Sequence, residues 1–238
     1  MPPPGEATGR LRACARRAAP AARGAQTAWH PRRLGERDVA SVNHPAFWEN
    51  LYRRRGDGWE LGAPAPELVT FVEASPPPRG RVAVPGCGRG HDARYLARVG
   101  YEAIGFDFAQ DAIDQARALE ADARTGARFE RRDIFTLARD YANAFDGVWE
   151  YTCFCAIDPA RRPEYVRTLS GTLRAGGWFL ACFYPIRPPG GGPPFPASRA
   201  EIRRLFEPAF RFERAGPPGC PVARRAAQEW MVFARKAC

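Results

Sequence analysis

Three glycines at alternate positions, Gly86, Gly88 and Gly90, follow a short apolar run at residues 82–84. Glycine lets a backbone turn tightly and approach a ligand closely, so an apolar strand followed by such a turn is typical of a nucleotide site. Asp107 ends the next apolar run, 21 positions after the first glycine. A carboxylate at that place can accept hydrogen bonds from two ribose hydroxyls. The pattern therefore predicts a ligand that contains a nucleoside.

The spacing of the glycines selects among such ligands. A dinucleotide fingerprint, G-x-G-x-x-G, would place its third glycine at position 91, where the start of a helix meets a pyrophosphate. His91 occupies that position in this chain. S-adenosyl-L-methionine carries adenosine and a sulfonium but no phosphate, so it needs the close backbone and the acid without an anion site. We therefore expect S-adenosyl-L-methionine as the cofactor, and a glycine turn without any ligand is the alternative.

Strands and helices must position these residues, and the spacing of apolar side chains predicts where they lie. Apolar runs predict five strands, at residues 82–84, 103–106, 129–134, 145–151 and 178–184. Helical periodicity predicts intervening helices at residues 91–99, 111–123 and 163–174. Gly176 and Gly177 are expected to end the last of these helices. A capping box at Ser198 and Glu201 predicts one more helix, which continues to residue 206.

Alternation of strand and helix predicts an α/β fold with a parallel sheet, and residues 210–213 and 229–234 predict an antiparallel closing pair. This is the class I methyltransferase architecture, a seven-stranded, mostly parallel Rossmann-like sheet flanked by helices, with an antiparallel closing strand. Ligands of such sheets bind at the carboxyl ends of the strands. Asp133 falls at such an end, where it can meet an adenine amino group, and Tyr151 falls where it would lie across the cofactor.

An aromatic and turn-rich segment, residues 44–66, precedes the first strand. A helix at residues 45–54 followed by irregular chain would lay Trp48 and Trp59 against the main domain. Because the faces of tryptophan rings attract cations, we expect this segment to form a lid over the sulfonium. Simple core packing is the alternative for both tryptophans.

Residues 1–43 differ in composition from the rest of the chain. They are rich in Ala, Arg and Pro and carry eight arginines against three acids, with no sustained apolar period. We expect a disordered tail at residues 1–43, followed by a methyltransferase domain at residues 44–238. An organellar transit peptide and a translation start near Val42 stay open as interpretations of the same segment.

The net charge of +10 would ordinarily suggest an anionic macromolecular partner. Half of this charge lies in residues 1–43, and all the basic residues except Lys236 are arginines, a skew that fits GC-rich codon usage. We therefore expect no nucleic-acid partner. No apolar run approaches the ~18 residues of a membrane helix, so no membrane partner is expected.

Seven cysteines at irregular spacing, without a signal-peptide pattern, favour a reducing compartment and hence a cytoplasmic location. Cys153 and Cys155 have no second cysteine or histidine pair nearby, and the three histidines show no metal-binding spacing. The sequence therefore predicts no metal site. We expect the protein to be a monomer.

Three blocks of residues carry a resemblance to a known family. They are Val84-Pro-Gly-Cys-Gly-x-Gly-His-Asp92, Tyr151-x-x-Phe-Cys-Ala-Ile-Asp-Pro159 with Arg162-Pro163 after it, and Tyr184-Pro-Ile186 followed by Gly191-Gly-Pro-Pro-Phe195. With them, over about residues 47–236, the chain resembles the thiol and halide/thiocyanate methyltransferases, relatives of thiopurine methyltransferase. The resemblance implies cofactor contacts at Trp48, Trp59, Gly86, Asp107, Asp133, Ile134 and Tyr151, and Gly88 joins them as part of the glycine turn.

The resemblance implies methyl transfer to a small sulfur nucleophile (thiol, bisulfide or thiocyanate) or to a halide, by direct in-line displacement. A sulfonium is already an activated electrophile, so the acceptor needs only to be held near the methyl group with water excluded. An anionic acceptor requires no general base, whereas a thiol with a pKa of about 8.5 must first ionise.

Tyr184, at the end of the fifth strand, is the candidate for orienting the acceptor, with a rim tyrosine as the alternative. Phe154 and Phe195 are candidates for the pocket wall.

Two other functions stay open on the sequence alone. A nucleic-acid or protein methyltransferase would use the same cofactor, but amino-directed nucleic-acid enzymes place an Asn/Asp-Pro-Pro-aromatic sequence at the end of strand four. This chain has Glu150-Tyr-Thr-Cys-Phe154 there. A non-catalytic protein that binds S-adenosylmethionine would show cofactor binding without turnover.

Overall fold

The computed structural model describes residues 40–54 and 56–237 of the chain. In this part, one mixed sheet contains β1 (Arg81–Pro85), β2 (Glu102–Asp107), β3 (Arg128–Arg131), β4 (Phe145–Tyr151), β5 (Leu173–Phe183), β6 (Phe210–Gly216) and β7 (Trp230–Lys236). The strand order is β3-β2-β1-β4-β5-β7-β6. β1 to β5 pair in parallel, whereas β7 is antiparallel to both β5 and β6. The predicted seven-stranded, mostly parallel sheet with an antiparallel closing strand is confirmed.

Helices connect the parallel strands, as a crossover between parallel neighbours requires. α3 (His91–Arg98), α4 (Gln110–Ala123), α5 (Leu137–Asp140) and α6 (Arg162–Thr172) make these connections, whereas α1 (Pro45–Arg53) and α2 (Pro66–Ala74) precede β1 and α7 (Arg199–Phe206) lies between β5 and β6. Half of the predicted capping box is observed at the start of α7, where Ser198 Oγ accepts the backbone N–H of Glu201 at 3.0 Å, while the Glu201 carboxylate pairs with Arg162. Of the helices in the described residues, none has the length and apolar character needed to cross a bilayer.

Two apolar clusters cover the two faces of the sheet. Alternate side chains of β1 enter them in turn, Ala83 on one face and Val82 on the other. β4, in the middle of the sheet, likewise sends Val148 and Trp149 to opposite faces. Strands buried on both faces are typical of parallel sheets covered by helices. Ligands therefore reach the sheet only at the ends of its strands.

The beginning of β5 differs from the prediction. α6 ends at Thr172, and the strand begins at Leu173, which is fully buried and pairs with Phe145 of β4. Gly176 does not end the helix but lies within β5, with a φ of +69° at the point where the register against β4 shifts. Burial of Leu173 extends the strand toward the helix, and the glycine accommodates the resulting irregularity.

Close packing at Gly147 in β4 gives a stability prediction. A Cβ atom on this residue would overlap the buried indole ring of Trp178 in β5. We expect Gly147→Ala to lower the free energy of unfolding by at least about 2 kcal/mol, because neither ring nor strand has room to move. Gly216→Ala in β6 is the matched control, since no atom lies within 4 Å of its added methyl group. Urea unfolding of both variants measures the difference, and equal stabilities would contradict this account of the packing.

The predicted tail lies mostly outside the described residues, which begin at residue 40. The last four residues assigned to it, Ala40–Asn43, form a 3-10 turn. Val42 in this turn is buried and lines the site described below. The turn therefore packs with the folded domain, and the domain boundary at residue 43 stays a prediction.

Candidate cofactor and acceptor site

A cavity of about 840 Å³ opens at the carboxyl ends of the parallel strands. Its wall includes every predicted cofactor and acceptor residue: Trp48, Trp59, Gly86, Gly88, Asp107, Asp133, Ile134, Tyr151 and Tyr184. The two predicted wall residues Phe154 and Phe195 are not part of it. Both are buried in apolar clusters, and Phe154 packs on Phe183 and Phe206 because the chain after β4 turns inward.

The glycine turn brings backbone to the cavity surface. Gly86 and Gly88 have φ values of +59° and +53°, which side chains other than glycine rarely adopt. A Cβ atom on Gly86 would lie 2.8 Å from Cys153 Sγ, and one on Gly88 would lie 3.2 Å from the Tyr52 hydroxyl. The backbone conformation and the close neighbours therefore both require glycine at positions 86 and 88. Without side chains there, the backbone itself faces the cavity.

Asp107 ends β2 beside this turn, with 8% of its surface exposed. Its two carboxylate oxygens accept the backbone N–H groups of Gly88 at 3.1 Å and Ala109 at 3.0 Å. Each oxygen keeps a further lone pair, so both can still accept a ribose hydroxyl. Burial raises the pKa of Asp107 to about 6, although the backbone N–H groups favour the charged form.

The pKa of Asp107 predicts how cofactor binding responds to pH. Below about pH 6 the carboxyl is protonated and loses acceptor strength, so affinity for S-adenosylmethionine should fall as the pH falls through that value. Above pH 7 the affinity should be constant. Calorimetric titration between pH 5 and 8 measures this, and an Asp107→Asn variant should show a much flatter profile. A wild-type affinity that rises on acidification would contradict the prediction.

The residues predicted to contact adenine, Asp133 and Ile134, lie at a turn and not at the end of a strand. β3 stops at Arg131, so Asp133 is not the end of a strand. Its side chain instead accepts the N–H of Phe135 at 3.0 Å and begins the 3-10 turn Ile134–Thr136. A carboxylate is a favourable cap for such a turn, which explains why the chain leaves the sheet two residues early. Asp133 and Ile134 still line the cavity, and their contact with adenine stays a prediction.

Aromatic residues of the predicted lid form one side of the cavity. Trp59 packs edge-on against Trp48 and Tyr52, with ring centroids 5.6 Å apart in both pairs. The indole N–H of Trp48 donates to the carbonyl of Val42 at 2.9 Å. α1 therefore presents aromatic surface to the cavity, as expected for a lid, and the contact with a sulfonium remains a prediction.

Ion pairs hold the segment that carries Trp59 against the start of α3. Arg89 contacts Asp57 and lies 3.0 Å from Glu60, and His91 Nε2 lies 3.2 Å from the other oxygen of Glu60. Burial opposes ionisation of Glu60, but hydrogen bonds from His91 and Arg89 outweigh it and lower the pKa to about 2. In the sequence, His91 was notable only because it stands where a dinucleotide fingerprint has its third glycine. In the structure it helps to position the predicted lid.

The cavity wall also contains a buried cation that the sequence did not single out. Arg225 is 3% exposed and lies over the rings of Tyr151, at 5.1 Å, and Tyr184, at 4.9 Å. Its guanidinium donates to the Tyr151 hydroxyl and to the carbonyl of Trp59, the latter at 2.9 Å. Within residues 40–54 and 56–237 no carboxylate lies within salt-bridge distance of it. The local partners of this charge are thus neutral oxygens and ring faces.

One protein family and several characterised relatives are similar to this chain in sequence. Residues 43–232 match the family described as Thiopurine S-methyltransferase (TPMT). The chain is 31% identical over 172 residues to a probable thiol methyltransferase 2 of Arabidopsis thaliana, covering 71% of this chain and 75% of the relative. It is 29% identical over 177 residues to thiocyanate methyltransferase 1 of the same plant, covering 72% and 77%.

Solved structures show the same fold. The structure of a Burkholderia thailandensis 1,6-didemethyltoxoflavin-N1-methyltransferase, with its substrate and S-adenosylhomocysteine bound, superposes with a TM-score of 0.70. The match covers 88% of this chain and 93% of that one, at 19% sequence identity. The PH0226 protein of Pyrococcus horikoshii superposes with a TM-score of 0.62 over 84% of this chain and 95% of its own. These structures support the fold assignment.

Proposed function

Because the chain belongs to the thiopurine S-methyltransferase family and is an S-adenosylmethionine-dependent methyltransferase, we propose that it methylates a small sulfur nucleophile or a halide. The acceptors that fit this proposal are thiols, bisulfide, thiocyanate and halides. Relatives named for thiols and for thiocyanate support the choice of acceptor class. The cavity volume of about 840 Å³ lies in the range of ligand pockets and leaves room for a small acceptor beside the cofactor.

Arg225 is the observation that carries the proposal. Its direct hydrogen-bond partners are neutral oxygens, so its remaining N–H donors can bind an anionic ligand, while the carboxylate of Glu229 acts on its charge through Tyr151. The two tyrosine rings beside it, Tyr151 and Tyr184, form an apolar surface that suits a polarisable sulfur or halide. We infer that the acceptor lies near Arg225 and that Tyr184 orients it.

In the proposed reaction, bound S-adenosylmethionine supplies a methyl group activated by its sulfonium. The glycine turn and Asp107 hold the ribose, and Asp133 and Ile134 contact the adenine. Arg225 and Tyr184 hold the acceptor in line with the methyl group, and the lid excludes water. An acceptor held there would take the methyl group that the cofactor supplies, and neutral S-adenosylhomocysteine would be the leaving group. A pre-ionised acceptor requires no proton transfer.

We also propose that the protein acts as a cytoplasmic monomer without nucleic-acid or membrane partners. Cys87, Cys153, Cys155 and Cys182 are free thiols, whereas Cys220 is disulfide-bonded, so the cysteines by themselves favour neither compartment. Among the described residues Leu119 is the one large hydrophobic side chain that is exposed. A stable subunit interface needs more apolar surface than this.

Headspace and solution detection of methylated products tests the proposed function. Purified protein with S-adenosylmethionine is given iodide, thiocyanate, bisulfide and an aromatic thiol in separate reactions. We expect a methylated product from at least one of the anions, and the rank order reports the size and polarity of the acceptor pocket. Cofactor binding by calorimetry without any product would contradict the proposal and indicate a larger acceptor or a non-catalytic role.

A further inference from the structure

A buried polar cluster lies behind the acceptor end of the cavity. It contains Glu67 of α2, Cys182 of β5 and Glu229 just before β7, whose ligand-type atoms all lie within 4.8 Å of one another. Glu67 is 2% exposed and Glu229 is 3% exposed. Two carboxyl groups this close and this deeply buried do not both carry a charge at neutral pH. The contacts of each group show which one does.

Hydrogen-bond donors surround Glu229 and not Glu67. The Tyr151 hydroxyl donates to Glu229 Oε1 at 2.9 Å, and the backbone N–H of Val222 donates to Oε2 at 3.2 Å. Both oxygens of Glu67 are buried, and no described residue meets hydrogen-bond geometry with them, although the Cys182 thiol and the Tyr151 hydroxyl lie near. Burial and the charge of Glu229 raise the pKa of Glu67 to about 8. Glu229 is therefore the ionised carboxylate, and Glu67 carries the proton.

Glu229 is connected to the cavity through one hydroxyl. Tyr151 lines the cavity, accepts a hydrogen bond from Arg225 and donates its own proton to Glu229. The chain Arg225–Tyr151–Glu229 thus runs from the cation at the acceptor end to a buried carboxylate. Such a chain can move a proton away from the cavity while the cation stays in place.

We propose that Glu229, acting through the Tyr151 hydroxyl, takes the proton of a neutral thiol acceptor as its sulfur attacks the methyl group. This inference rests on the proposed function. The thiol proton passes to the Tyr151 oxygen while the Tyr151 proton passes to Glu229 Oε1. The electron pair of the S–H bond stays on the acceptor sulfur, which forms the new bond to carbon. Thiocyanate and halides carry no proton, so they do not use this route.

The surrounding charges favour this transfer. Before it, Arg225 faces a neutral thiol and the negative charge lies on Glu229; as the proton leaves, negative charge develops on the sulfur beside Arg225 and is neutralised when the sulfur bonds to the methyl carbon. The other titratable groups around Glu229 are neutral: Glu67 is protonated, and burial raises the pKa of the Cys182 thiol well above its usual value. Asp92 of α3 also faces Glu67, but its oxygens are engaged by Ala65 and Trp149. Glu229 is therefore the available proton acceptor.

The test compares an aliphatic thiol with thiocyanate in the same variants. We expect Glu229→Gln to lower kcat for the thiol about 100-fold at pH 7 and to change thiocyanate turnover less than threefold, and Tyr151→Phe, which also alters the cavity wall, to lower kcat for the thiol at least as much. Thiocyanate turnover shows that each variant is folded and binds the cofactor. In Glu229→Gln, thiol turnover should recover as the pH approaches the pKa of the thiol, because the thiolate then forms in solution. Glu207→Gln, an exposed residue after α7, is the matched control.

Three results would overturn the proposal. Equal losses with thiol and thiocyanate would show a structural role for Glu229, and an unchanged thiol rate would show that no relay operates. A larger thiol-specific loss in Glu67→Gln than in Glu229→Gln would show that Glu67, and not Glu229, accepts the thiol proton. If the wild-type protein methylates neither of these acceptors, nor iodide, bisulfide or the aromatic thiol, the proposed function itself fails, and this outcome is distinct from the other three.

Discussion

Replacing Asp107 with alanine is expected to weaken S-adenosylmethionine binding by at least about 100-fold. Two hydrogen bonds from ribose hydroxyls to a buried carboxylate contribute about 3 kcal/mol together, and each 1.4 kcal/mol corresponds to a tenfold change in affinity. The same carboxylate also holds the backbone N–H groups of Gly88 and Ala109. Its loss therefore loosens the glycine turn as well as removing the ribose contact. Isothermal titration calorimetry at pH 7.5 measures the change.

The control for this variant is Asp122→Ala. Asp122 is an exposed acid near the end of α4, so its removal changes the net charge equally without touching the cavity. Its affinity should stay within a factor of two of the wild type. Thermal unfolding of both variants without cofactor separates loss of folding from loss of binding. A folded Asp107→Ala variant with wild-type affinity would remove Asp107 from the cofactor site.

The sequence predicted the cofactor half of the site because local chemistry specifies it. Gly86 and Gly88 occupy backbone conformations that other residues rarely adopt, and Asp107 follows a strand whose apolar pattern is unambiguous. β4 begins and ends at the predicted residues, Phe145 and Tyr151, and its side chains are buried except for the half-buried Asp146 and Tyr151. Where one residue type is required at one place, the sequence suffices to locate it.

The acceptor half depends on contacts between distant parts of the chain, which spacing does not reveal. Arg224 and Arg225 are adjacent and chemically identical, yet one is exposed and the other is 3% exposed under two tyrosine rings. Glu67 and Glu229 are separated by most of the domain and meet only because α2 packs beside β7. A possible signal was Glu229 at the beginning of an otherwise apolar strand, a place where a buried acid needs a partner.

Packing also explains why Phe154 and Phe195, which were predicted to line the pocket, lie in apolar clusters instead. Phe154 follows the fourth strand, where a side chain could face either the cavity or the core. The hydrogen bond from its backbone N–H to the buried carboxylate of Glu150 fixes the turn, and the ring then enters the core. Phe195 is held in the same way, through its backbone N–H to the carbonyl of Cys155 and its own carbonyl to Arg162. Neither direction can be read from apolar spacing alone.

Replacing Arg225 with glutamine is expected to lower kcat/KM for thiocyanate about 100-fold. The guanidinium is the buried charge nearest the proposed acceptor position, and a charged hydrogen bond or ion contact in a desolvated site contributes about 3 kcal/mol. Glutamine keeps a donor for the Tyr151 hydroxyl and removes the charge. Cofactor affinity should change less than threefold, because Asp107 and the glycine turn hold the cofactor at the other side of the cavity. Initial rates at varied thiocyanate, with cofactor saturating, measure the effect.

Arg224→Gln is the matched control, since it removes the same charge one residue away at the exposed mouth of the cavity. Its loss in kcat/KM should stay within about threefold, and raising the salt concentration should remove even that difference, because exposed charges are screened. Arg225→Lys should recover part of the lost rate, since it restores the charge without the planar fork between the two rings. Equal losses in Arg224→Gln and Arg225→Gln would show that the general positive field, and not a buried cation at the acceptor, attracts the anion. A parallel loss of cofactor affinity in Arg225→Gln would instead assign Arg225 to positioning Trp59, whose carbonyl it also holds.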